Sequence, residues 1–403
     1  MKTFRNLLTL AAVLIVTANA FAQKASELIY TDVAELIKNG TVQILGKGFD
    51  NGADSLLYAR LPADMQDRIR KSVWNLGRNS AGIAIRFSTN AKCIGAQWTL
   101  VGNVNMAHMP GTGIRGLDIY SYSENGGWAF VGTAQPNGKN SRNVFIRRME
   151  GKNTDYIIYL PLYDGIEKLS IGVDSGAVIS APIKNVLLPS EQRKPVVVYG
   201  TSVTQGGCAS RPGMVYTSIL GRKMNREFIN LGFSGNGRMD KLMADKIASI
   251  DAAAYVIDCL ANCTYKIIQD STEYFIKKIA SEHPNVPVYM VSNYYYPYQY
   301  ADKQFREDLT NENALWYALY LKFKKEGLTN LRFISANGVK MVPQEGDMKL
   351  SENPKTKHID LSGNLEKAPS GPDTEGTVDG VHLTDVGFLR LAEFLYNELK
   401  EIK

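Results

Sequence analysis

The stretch Pro195-Val-Val-Val-Tyr-Gly-Thr-Ser-Val-Thr-Gln-Gly-Gly207 decides the fold of the second half of the chain. Its apolar, β-branched residues predict a buried strand, and the glycines that surround Ser202 predict a sharp turn. A helix is expected to begin near Met214. Ser202 is therefore expected at the carboxyl end of a strand, where open α/β sheets hold their sites and free backbone N–H groups bind anions. The alternative is a turn serine that only caps the helix.

A second motif, Thr377-Val-Asp-Gly-Val-His382, follows near the C-terminus. A single turn between Asp379 and His382 lets the carboxylate bind one ring nitrogen and leaves the other nitrogen for Ser202. A neutral hydroxyl needs such a base to act as a nucleophile. The alternative is a surface loop in which both side chains cap the final helix. His358-Ile-Asp360 is a weaker rival dyad in polar surroundings. The two motifs together predict a serine esterase.

Two further segments offer donors for an oxyanion, which acyl transfer requires. The glycine-rich loop Gly232-Phe-Ser-Gly-Asn-Gly237 follows one predicted strand, and Asn262 follows another, Ala253–Leu260. Each alone is weak evidence, because glycine-rich loops and asparagines commonly form turns. Their position at strand ends, like that of Ser202, favours one shared site.

These residues resemble the four blocks of the GDSL/SGNH hydrolase superfamily, over roughly residues 195 to 403. The blocks contribute a serine, a glycine, an asparagine and an Asp-x-x-His, matched here by Ser202, Gly235, Asn262, and Asp379 with His382. The resemblance implies that Ser202 is the nucleophile, that His382 is the base and then the acid, and that Asp379 orients His382. It also implies an oxyanion hole made of the N–H groups of Ser202 and Gly235 and the side chain of Asn262. The implied fold is a flavodoxin-like, three-layer α/β/α hydrolase.

The chain departs from the family pattern at two places. Thr201 precedes the serine where the name-giving motif has aspartate, and Cys263 follows Asn262 where aspartate is often found. Neither departure removes a group that takes part in the reaction. They therefore concern the subfamily and leave the expected chemistry intact.

The region before Pro195 has a different sequence pattern from the region after it, with short β-rich runs separated by clusters of turn residues. This pattern predicts an all-β sandwich, whereas strands alternating with helices after Pro195 predict a mostly parallel sheet. We expect a leader at 1–22, a β-sandwich domain at 23–190 and a hydrolase domain at 191–403. The arrangement resembles two-domain bacterial carbohydrate esterases, in which a jelly-roll-like module comes first. The predicted strands are Gly82–Phe87, Ile94–Leu100, Gly116–Tyr122, Trp128–Val131, Asn143–Ile146, Tyr156–Leu160 and Lys168–Val173.

The first 22 residues have the features of a secretory signal peptide. Lys2 and Arg5 precede the apolar stretch Leu7–Val16, and Ala20-Phe-Ala22 offers a cleavage site. The apolar stretch is too short for an ordinary membrane span. The sequence therefore predicts a periplasmic or secreted protein that is not inserted in the membrane after cleavage. A net charge of +6 without a long basic run gives no reason to expect nucleic acid as a partner.

Four cysteines permit disulfides in an exported chain but are too few for a disulfide framework. A bridge from Cys208 to Cys259 or Cys263 would stiffen the loop that carries Asn262. No metal site or cofactor is expected, because Cys259-x-x-x-Cys263 lacks a second ligand pair and the histidines are scattered.

The run Asn293-Tyr-Tyr-Tyr-Pro-Tyr-Gln-Tyr300 is the best candidate for substrate contact. The rings of Tyr294, Tyr295 and Tyr296 would stack on sugars, or else pack the loop onto the domain. The insertion at 341–377 has no long apolar segment of the kind expected for a lipase lid. The sequence thus predicts removal of short acyl groups, foremost acetyl, from saccharides. A lipid or thioester hydrolase, or a carbohydrate-binding protein with a silent hydrolase domain, are the alternatives.

Overall fold

The computed structural model describes residues 25–187, 190, 193–294, 296–336 and 374–402. The predicted leader, Tyr295, the rival dyad of His358 and Asp360, and most of the insertion at 341–377 lie outside the described residues. None of the helices in the described part is long and apolar enough to cross a membrane.

The first half of the chain is dominated by strands, as its short apolar runs predict. The strands are β1 (Ile29–Asp32), β2 (Gln43–Leu45), β3 (Ala84–Thr89), β4 (Ile94–Leu100), β5 (Leu117–Ser123), β6 (Gly127–Ala134), β7 (Asn140–Ile146), β8 (Thr154–Tyr159), β9 (Ile166–Val173) and β10 (Ile179–Ser180). The α-helices are α1 (Val33–Lys38), α2 (Lys71–Gly77) and α3 (Gly111–Ile114), and 3₁₀ turns occupy Ala25–Glu27, Asp54–Leu56 and Ala63–Met65.

These strands form two antiparallel sheets. One has the order β1-β9-β4-β7; the other has the order β10-β3-β8-β5-β6, with β2 paired to β3. Trp98 of β4 and Ile119 of β5, one from each sheet, belong to the same buried hydrophobic cluster. β5 and β6 form a hairpin, since Ser123 pairs with Gly127 at the start of β6.

The second half alternates strands with helices. Its strands are β11 (Val196–Gly200), β12 (Phe228–Gly232), β13 (Ala254–Asp258), β14 (Val288–Val291) and β15 (Leu331–Ile334). Its α-helices are α4 (Ser202–Gln205), α5 (Tyr216–Met224), α6 (Lys241–Ala248), α7 (Tyr265–Glu282), α8 (Tyr298–Ala301), α9 (Lys303–Lys325) and α10 (Asp385–Leu399), and 3₁₀ turns occupy Pro212–Met214, Leu260–Asn262 and Thr374–Gly376.

The predicted parallel sheet is confirmed. Its five strands are ordered β12-β11-β13-β14-β15, which is the strand order 2-1-3-4-5 of flavodoxin-like sheets. Alternate residues of a strand face opposite sides, so Val197 packs with α6, α7 and α9, whereas Val198 packs with α5 and α10. Helices therefore cover both faces of the sheet, and the carboxyl ends of the strands are left for the site.

Several residues between β2 and β3 pack on the parallel sheet, although Tyr58 of the same segment belongs to the cluster of the antiparallel sheets. Leu61, Met65 and Trp74 are buried in the same cluster as Val197 and Ile229. The domain boundary near residue 190 stays a prediction. The early segment, which lies before that boundary in the sequence, completes the core of the parallel sheet after it.

Candidate active site

Ser202 lies directly after β11, as the sequence predicts, and begins the short helix α4. The side chain of Thr201 accepts a hydrogen bond from the Val203 N–H and so caps this helix. Gly206 ends it with a φ of 111°, a conformation in which a side chain would be strained. The Tyr163 hydroxyl donates to the Ser202 carbonyl at 3.3 Å. Ser202 is thus held in a tight turn and is only 7% exposed.

His382 and Asp379 meet Ser202 across 180 residues of sequence. The Nε2 atom of His382 lies 3.0 Å from the Ser202 Oγ atom, and its Nδ1 atom lies 2.7 Å from the Asp379 Oδ2 atom. The other carboxylate oxygen, Oδ1, accepts from the backbone N–H groups of His382 at 2.8 Å and Val381 at 3.1 Å. Burial alone would raise the pKa of Asp379, but these hydrogen bonds, first that of the His382 ring, lower its pKa to about 2.

The loop that carries this pair is held at both ends. The Val378 N–H donates to the His382 carbonyl at 2.8 Å, and the Thr384 side chain caps α10. Gly380 has a φ of +83°, and the Tyr298 ring packs so closely on it that an added Cβ atom would lie 2.9 Å away. The Tyr298 hydroxyl donates to the Asp379 carbonyl at 2.7 Å. The arrangement supplies a hydroxyl, a base within hydrogen-bond reach of it, and a carboxylate that orients the base, which is the set needed for nucleophilic acyl transfer.

The two other predicted segments lie at the same end of the sheet. Gly200 is level with Gly232 of β12 and with Asp258 of β13, so the loops that follow these strands begin side by side. Gly235 has a φ of +66° with open space around its Cα atom. The Oδ1 atom of Asn262 accepts from the Gly237 N–H at 3.2 Å, which leaves its Nδ2 group to donate elsewhere.

Two arginines that sequence reasoning missed hold the loop after β12. Arg60, fully buried and without a carboxylate partner in any described hydrogen bond, donates to the Gly232 carbonyl at 2.6 Å, and burial lowers its pKa to about 9. Arg70 donates to the Asn236 side chain and carbonyl at 2.8 Å and forms two bonds with the Asp240 carboxylate. Since these partners lie about 170 positions away, no local pattern could reveal them.

A buried carboxylate beside the turn of Ser202 was also missed. The Oδ2 atom of Asp258 accepts hydrogen bonds from the hydroxyls of Tyr294 at 2.6 Å, Tyr216 at 2.7 Å and Thr204 at 3.2 Å. Burial raises the pKa of Asp258 to about 6, although these three donors act in the opposite direction. The available signal was an aspartate that ends an otherwise apolar strand, which must find donors when buried.

The tyrosine run is only partly open to a ligand. The Tyr294 hydroxyl is directed inward to Asp258, and Tyr296 is 4% exposed and packs edge-on against Phe305. The buried Tyr296 ring has no free face for stacking, whereas the Tyr294 ring is only partly buried and its stacking role stays a prediction. Among the rings of the run that the structure describes, Tyr298, at 50%, and Tyr300, at 78%, are exposed.

The predicted disulfide from Cys208 is wrong, since all four cysteines are free. The Cys263 thiol donates to the carbonyls of Gly237 and Cys259. Cys208 instead lies beside His382 and His108, a residue of the loop between β4 and β5. Burial and then the charge of Asp379 raise the pKa of the Cys208 thiol to about 11.

An ion-pair network joins the antiparallel sheets to this site. Asp118 of β5 is completely buried, accepts twice from the Gly213 N–H and pairs with Arg211 at 3.3 Å. Arg211 also approaches Asp385, the residue that begins α10, at 3.7 Å. The Ser210 N–H donates to the same carboxylate at 2.9 Å. The helix after His382 is therefore tied to the turn after Ser202 and to β5.

Two family models match the chain. The GDSL-like lipase/acylhydrolase family matches residues 193–352, and the N-terminal region of SGNH-hydrolase-type esterases, described as GxDLY, matches residues 29–179. The stretch Gly116-Leu-Asp-Ile-Tyr120 follows the latter pattern with isoleucine for leucine. None of the curated proteins matches the chain.

Several solved structures are similar to this chain. A GDSL-like lipase from Bacteroides ovatus is 30% identical with a TM-score of 0.78, over 93% of this chain and 98% of that chain. The salicylyl-acyltransferase SsfX3 of a tetracycline biosynthetic pathway is 15% identical with a TM-score of 0.65, over 94% and 98% of the two chains. A family two carbohydrate esterase from Clostridium thermocellum is a more distant neighbour, 11% identical with a TM-score of 0.49, over 79% and 91%.

The parallel sheet has its polar side chains gathered at the carboxyl ends of the strands. With the two family models, this arrangement defines a hydrolase of the esterase class that has a flavodoxin-like sheet. The chain belongs to the GDSL-like lipase/acylhydrolase family, and it carries the N-terminal region of SGNH-hydrolase-type esterases as well.

Proposed function

We propose that this protein is a serine esterase that removes short acyl groups, foremost acetyl, from carbohydrates through a covalent acyl-enzyme. The observation that carries the proposal is the continuous chain of hydrogen bonds from the Ser202 hydroxyl through His382 to Asp379. Family membership alone supports an ester hydrolase. The distances of 3.0 and 2.7 Å support Ser202 as its nucleophile.

In the first half of the reaction Ser202 Oγ attacks the ester carbonyl while His382 Nε2 takes the hydroxyl proton. Asp379 holds the ring so that Nδ1 carries a hydrogen, and its carboxylate stabilises the imidazolium that forms. With a pKa of about 2 this carboxylate is ionised throughout the neutral range. His382 then passes the proton to the sugar oxygen as the bond between acyl carbon and leaving oxygen breaks.

The tetrahedral intermediate places a negative charge on the former carbonyl oxygen. We assign its donors to the N–H groups of Ser202 and Gly235 and to Asn262 Nδ2, which all follow neighbouring strand ends. In the second half of the reaction water gives a proton to His382 Nε2, attacks the acyl carbon and releases the acid. The same donors hold the second intermediate, and the proton returns to Ser202 as the acyl bond breaks.

A sugar as the alcohol part of the ester is supported by the rings beside the catalytic loop. Tyr298 is half exposed while its hydroxyl is bound to the Asp379 carbonyl, so one ring is held rigidly next to the reacting groups. An amphipathic ring held in this way suits the faces of sugars. Tyr298 and Tyr300 thus take the place of Tyr296 as the proposed contacts, and Tyr294 and Tyr295 keep their predicted role.

The proposal extends to the architecture and location of the protein. Two antiparallel sheets with a shared cluster support a jelly-roll-like sandwich within residues 23–190. The predicted leader at 1–22 favours a periplasmic or secreted protein. Esters of polysaccharides outside the cytoplasm are then the accessible substrates.

The test is hydrolysis of aryl acetate, butyrate and octanoate, followed by acetate release from acetylated xylan, mannan and pectin. Ser202→Ala should lower kcat/KM for aryl acetate by at least about 10⁴-fold, because the nucleophile is removed. Ser249→Ala, a surface change on the loop after α6, is the matched control and should keep wild-type activity.

Three outcomes separate the alternatives. Acetate release that survives in Ser202→Ala, or none in the wild type, would remove the esterase proposal. A preference for octanoate would favour the lipid hydrolase. Binding of glycans without any hydrolysis would favour the silent, carbohydrate-binding alternative.

A further inference from the structure

Three side chains that ligate transition metals meet at the mouth of the site. His108 comes from the loop between β4 and β5, Cys208 follows α4, and His382 precedes α10. Their ligand atoms all lie within 4.8 Å of one another, and the two imidazole rings are 5.7 Å apart at an angle of 44°. Neither the pattern of the family blocks nor the spacing of the histidines in the sequence brings these residues together.

The ligand atoms lie within 4.8 Å of one another, which is wider than in a formed tetrahedral metal site. Bond lengths of about 2.0–2.1 Å to nitrogen and about 2.3 Å to sulfur place neighbouring ligand atoms roughly 3.5 Å apart. His108 is exposed, so its ring is free to rotate toward the other two. Cys208 is buried and His382 is partly buried. These two ligands are therefore held in place, whereas the His108 side chain can adjust its position.

The backbone at Cys208 indicates that this side chain is held in place. Its φ of 72° is unusual for any residue but glycine, and the two residues before it are glycines. A conformation that glycine would adopt without strain is here occupied by a thiol next to two imidazoles. Backbone strain of this sort occurs mainly at functional positions.

The hydrogen bonds of His382 leave the correct atom for a metal. Nδ1 is bound by Asp379 at 2.7 Å, so Nε2 is the atom available to the cluster. A carboxylate on the far nitrogen is the usual second partner of a metal-bound histidine, because it fixes the tautomer and makes the ring a better ligand. One cysteine and two histidines suit Zn²⁺ and do not suit Mg²⁺ or Ca²⁺, which require oxygen ligands.

We infer that His108, Cys208 and His382 form an inhibitory zinc site. Zn²⁺ binds the Cys208 sulfur, whose proton passes to solvent, together with one nitrogen of His108 and the Nε2 atom of His382. The fourth position is filled by water or by Ser202 Oγ, which lies 3.0 Å from Nε2. A metal on Nε2 occupies the lone pair that takes the serine proton, so the bound form is inactive. The inhibition rests on the proposed esterase function, whereas the binding does not.

Activity provides the first test. The full chain, with any affinity tag removed, hydrolyses aryl acetate in buffers of fixed free Zn²⁺. Micromolar Zn²⁺ should inhibit the wild type, a chelator should restore activity, and Mg²⁺ at the same concentration should have no effect. Cys208→Ser and His108→Gln should each raise the half-inhibitory concentration by at least about tenfold, since even outer partners of a metal site contribute that much. Cys93→Ser, a buried cysteine in another cluster, is the matched control.

Metal binding provides a second test that needs no activity. Co²⁺ added to Ser202→Ala should give a sulfur-to-cobalt charge-transfer absorption that Zn²⁺ displaces. That absorption should be lost in the double variant with Cys208→Ser. The proposal is overturned if the absorption is absent, or if Zn²⁺ inhibits the wild type and both ligand variants equally. If the wild type does not hydrolyse aryl acetate but Ser202→Ala shows the absorption, the esterase function is rejected and the metal site is retained. His108→Gln, an exposed change, keeps the test valid if Cys208→Ser does not fold.

Discussion

At the scale of single residues, Gly207 leaves room for the His382 ring. A Cβ atom at this position would lie 3.0 Å from His382 Cδ2 and 2.9 Å from the Tyr163 hydroxyl. Neither neighbour can move freely, because His382 is bound by Asp379 and Tyr163 donates to the Ser202 carbonyl. A methyl group here is therefore expected to displace the imidazole from Ser202.

Gly207→Ala should lower kcat for aryl acetate by on the order of 100-fold, the effect of a misplacement of about 1 Å, with a smaller change in KM. Steady-state kinetics and urea unfolding of the same preparations check this. Gly111→Ala, where the nearest atom lies at an ordinary 3.5 Å, is the control. Equal kcat in the two variants would show that the ring has more freedom than the contacts indicate.

The residues that could be predicted from the sequence are those whose role depends on local geometry. Ser202 follows a strand and His382 follows Asp379 by one turn, so a short window of sequence contains the signal of each. Arg60 and Asp258 act on atoms that only the folded chain brings near, and no window contains both partners. The tyrosine run was partly misjudged because strand and turn patterns do not say which ring faces inward.

At the scale of elements, the four-residue helix α4 is too short to be stable alone. Thr204 anchors this helix, because its hydroxyl forms hydrogen bonds with both Asp258 and Tyr216. Removal of the carboxylate would leave three buried hydroxyls without their acceptor. The position of Ser202 thus depends on a side chain of β13 that does not touch the reaction.

Asp258→Ala should destabilise the protein by roughly 3–5 kcal/mol, because each unsatisfied buried polar group costs about 1–3 kcal/mol and only part is recovered. Asp258→Asn keeps an acceptor oxygen and should cost about half as much. Urea unfolding measures both. Asp270→Asn, which breaks an exposed ion pair with Lys266, should cost less than about 1 kcal/mol. If Asp258→Ala behaves like the surface variant, the network does not support α4.

Strands were predicted more accurately than the packing of the segments between them. β4 spans Ile94–Leu100 as expected. The apolar residues of a strand and the turn residues that flank it lie in one short stretch of sequence. The packing of Leu61 and Trp74 on the parallel sheet depends on contacts with residues far along the chain. The sequence therefore indicated two kinds of sheet but not how the early segment is shared between them.

At the scale of the whole molecule, buried acids set the pH dependence of stability. Burial is the first cause of a raised pKa at Asp258, to about 6, at Glu227 and Asp118, to about 7, and at Glu312, to about 8. In the unfolded chain these groups ionise near pH 4. Between about pH 4 and 7 the folded state therefore binds more protons than the unfolded state, and stability falls as the pH rises.

The free energy of unfolding should thus be higher at pH 5 than at pH 7, by on the order of 1 kcal/mol per pH unit for each group that titrates. Asp379 does not oppose this trend, because its lowered pKa removes stability only below about pH 4. Urea titrations at pH 5, 6 and 7 measure the slope. Glu227→Gln should flatten the slope, and a slope of opposite sign would contradict the assigned burial effects.

The early segment on the parallel sheet has a consequence for the order in which the chain is made. Leu61 and Trp74 leave the ribosome before Ile229, the strand residue they pack with, by about 150 residues, or roughly 8–30 s of translation. During that time their apolar side chains have no native partner. The nascent chain therefore cannot complete this core while only its first half has been synthesised. Until the second half has emerged, these apolar side chains remain accessible to chaperones.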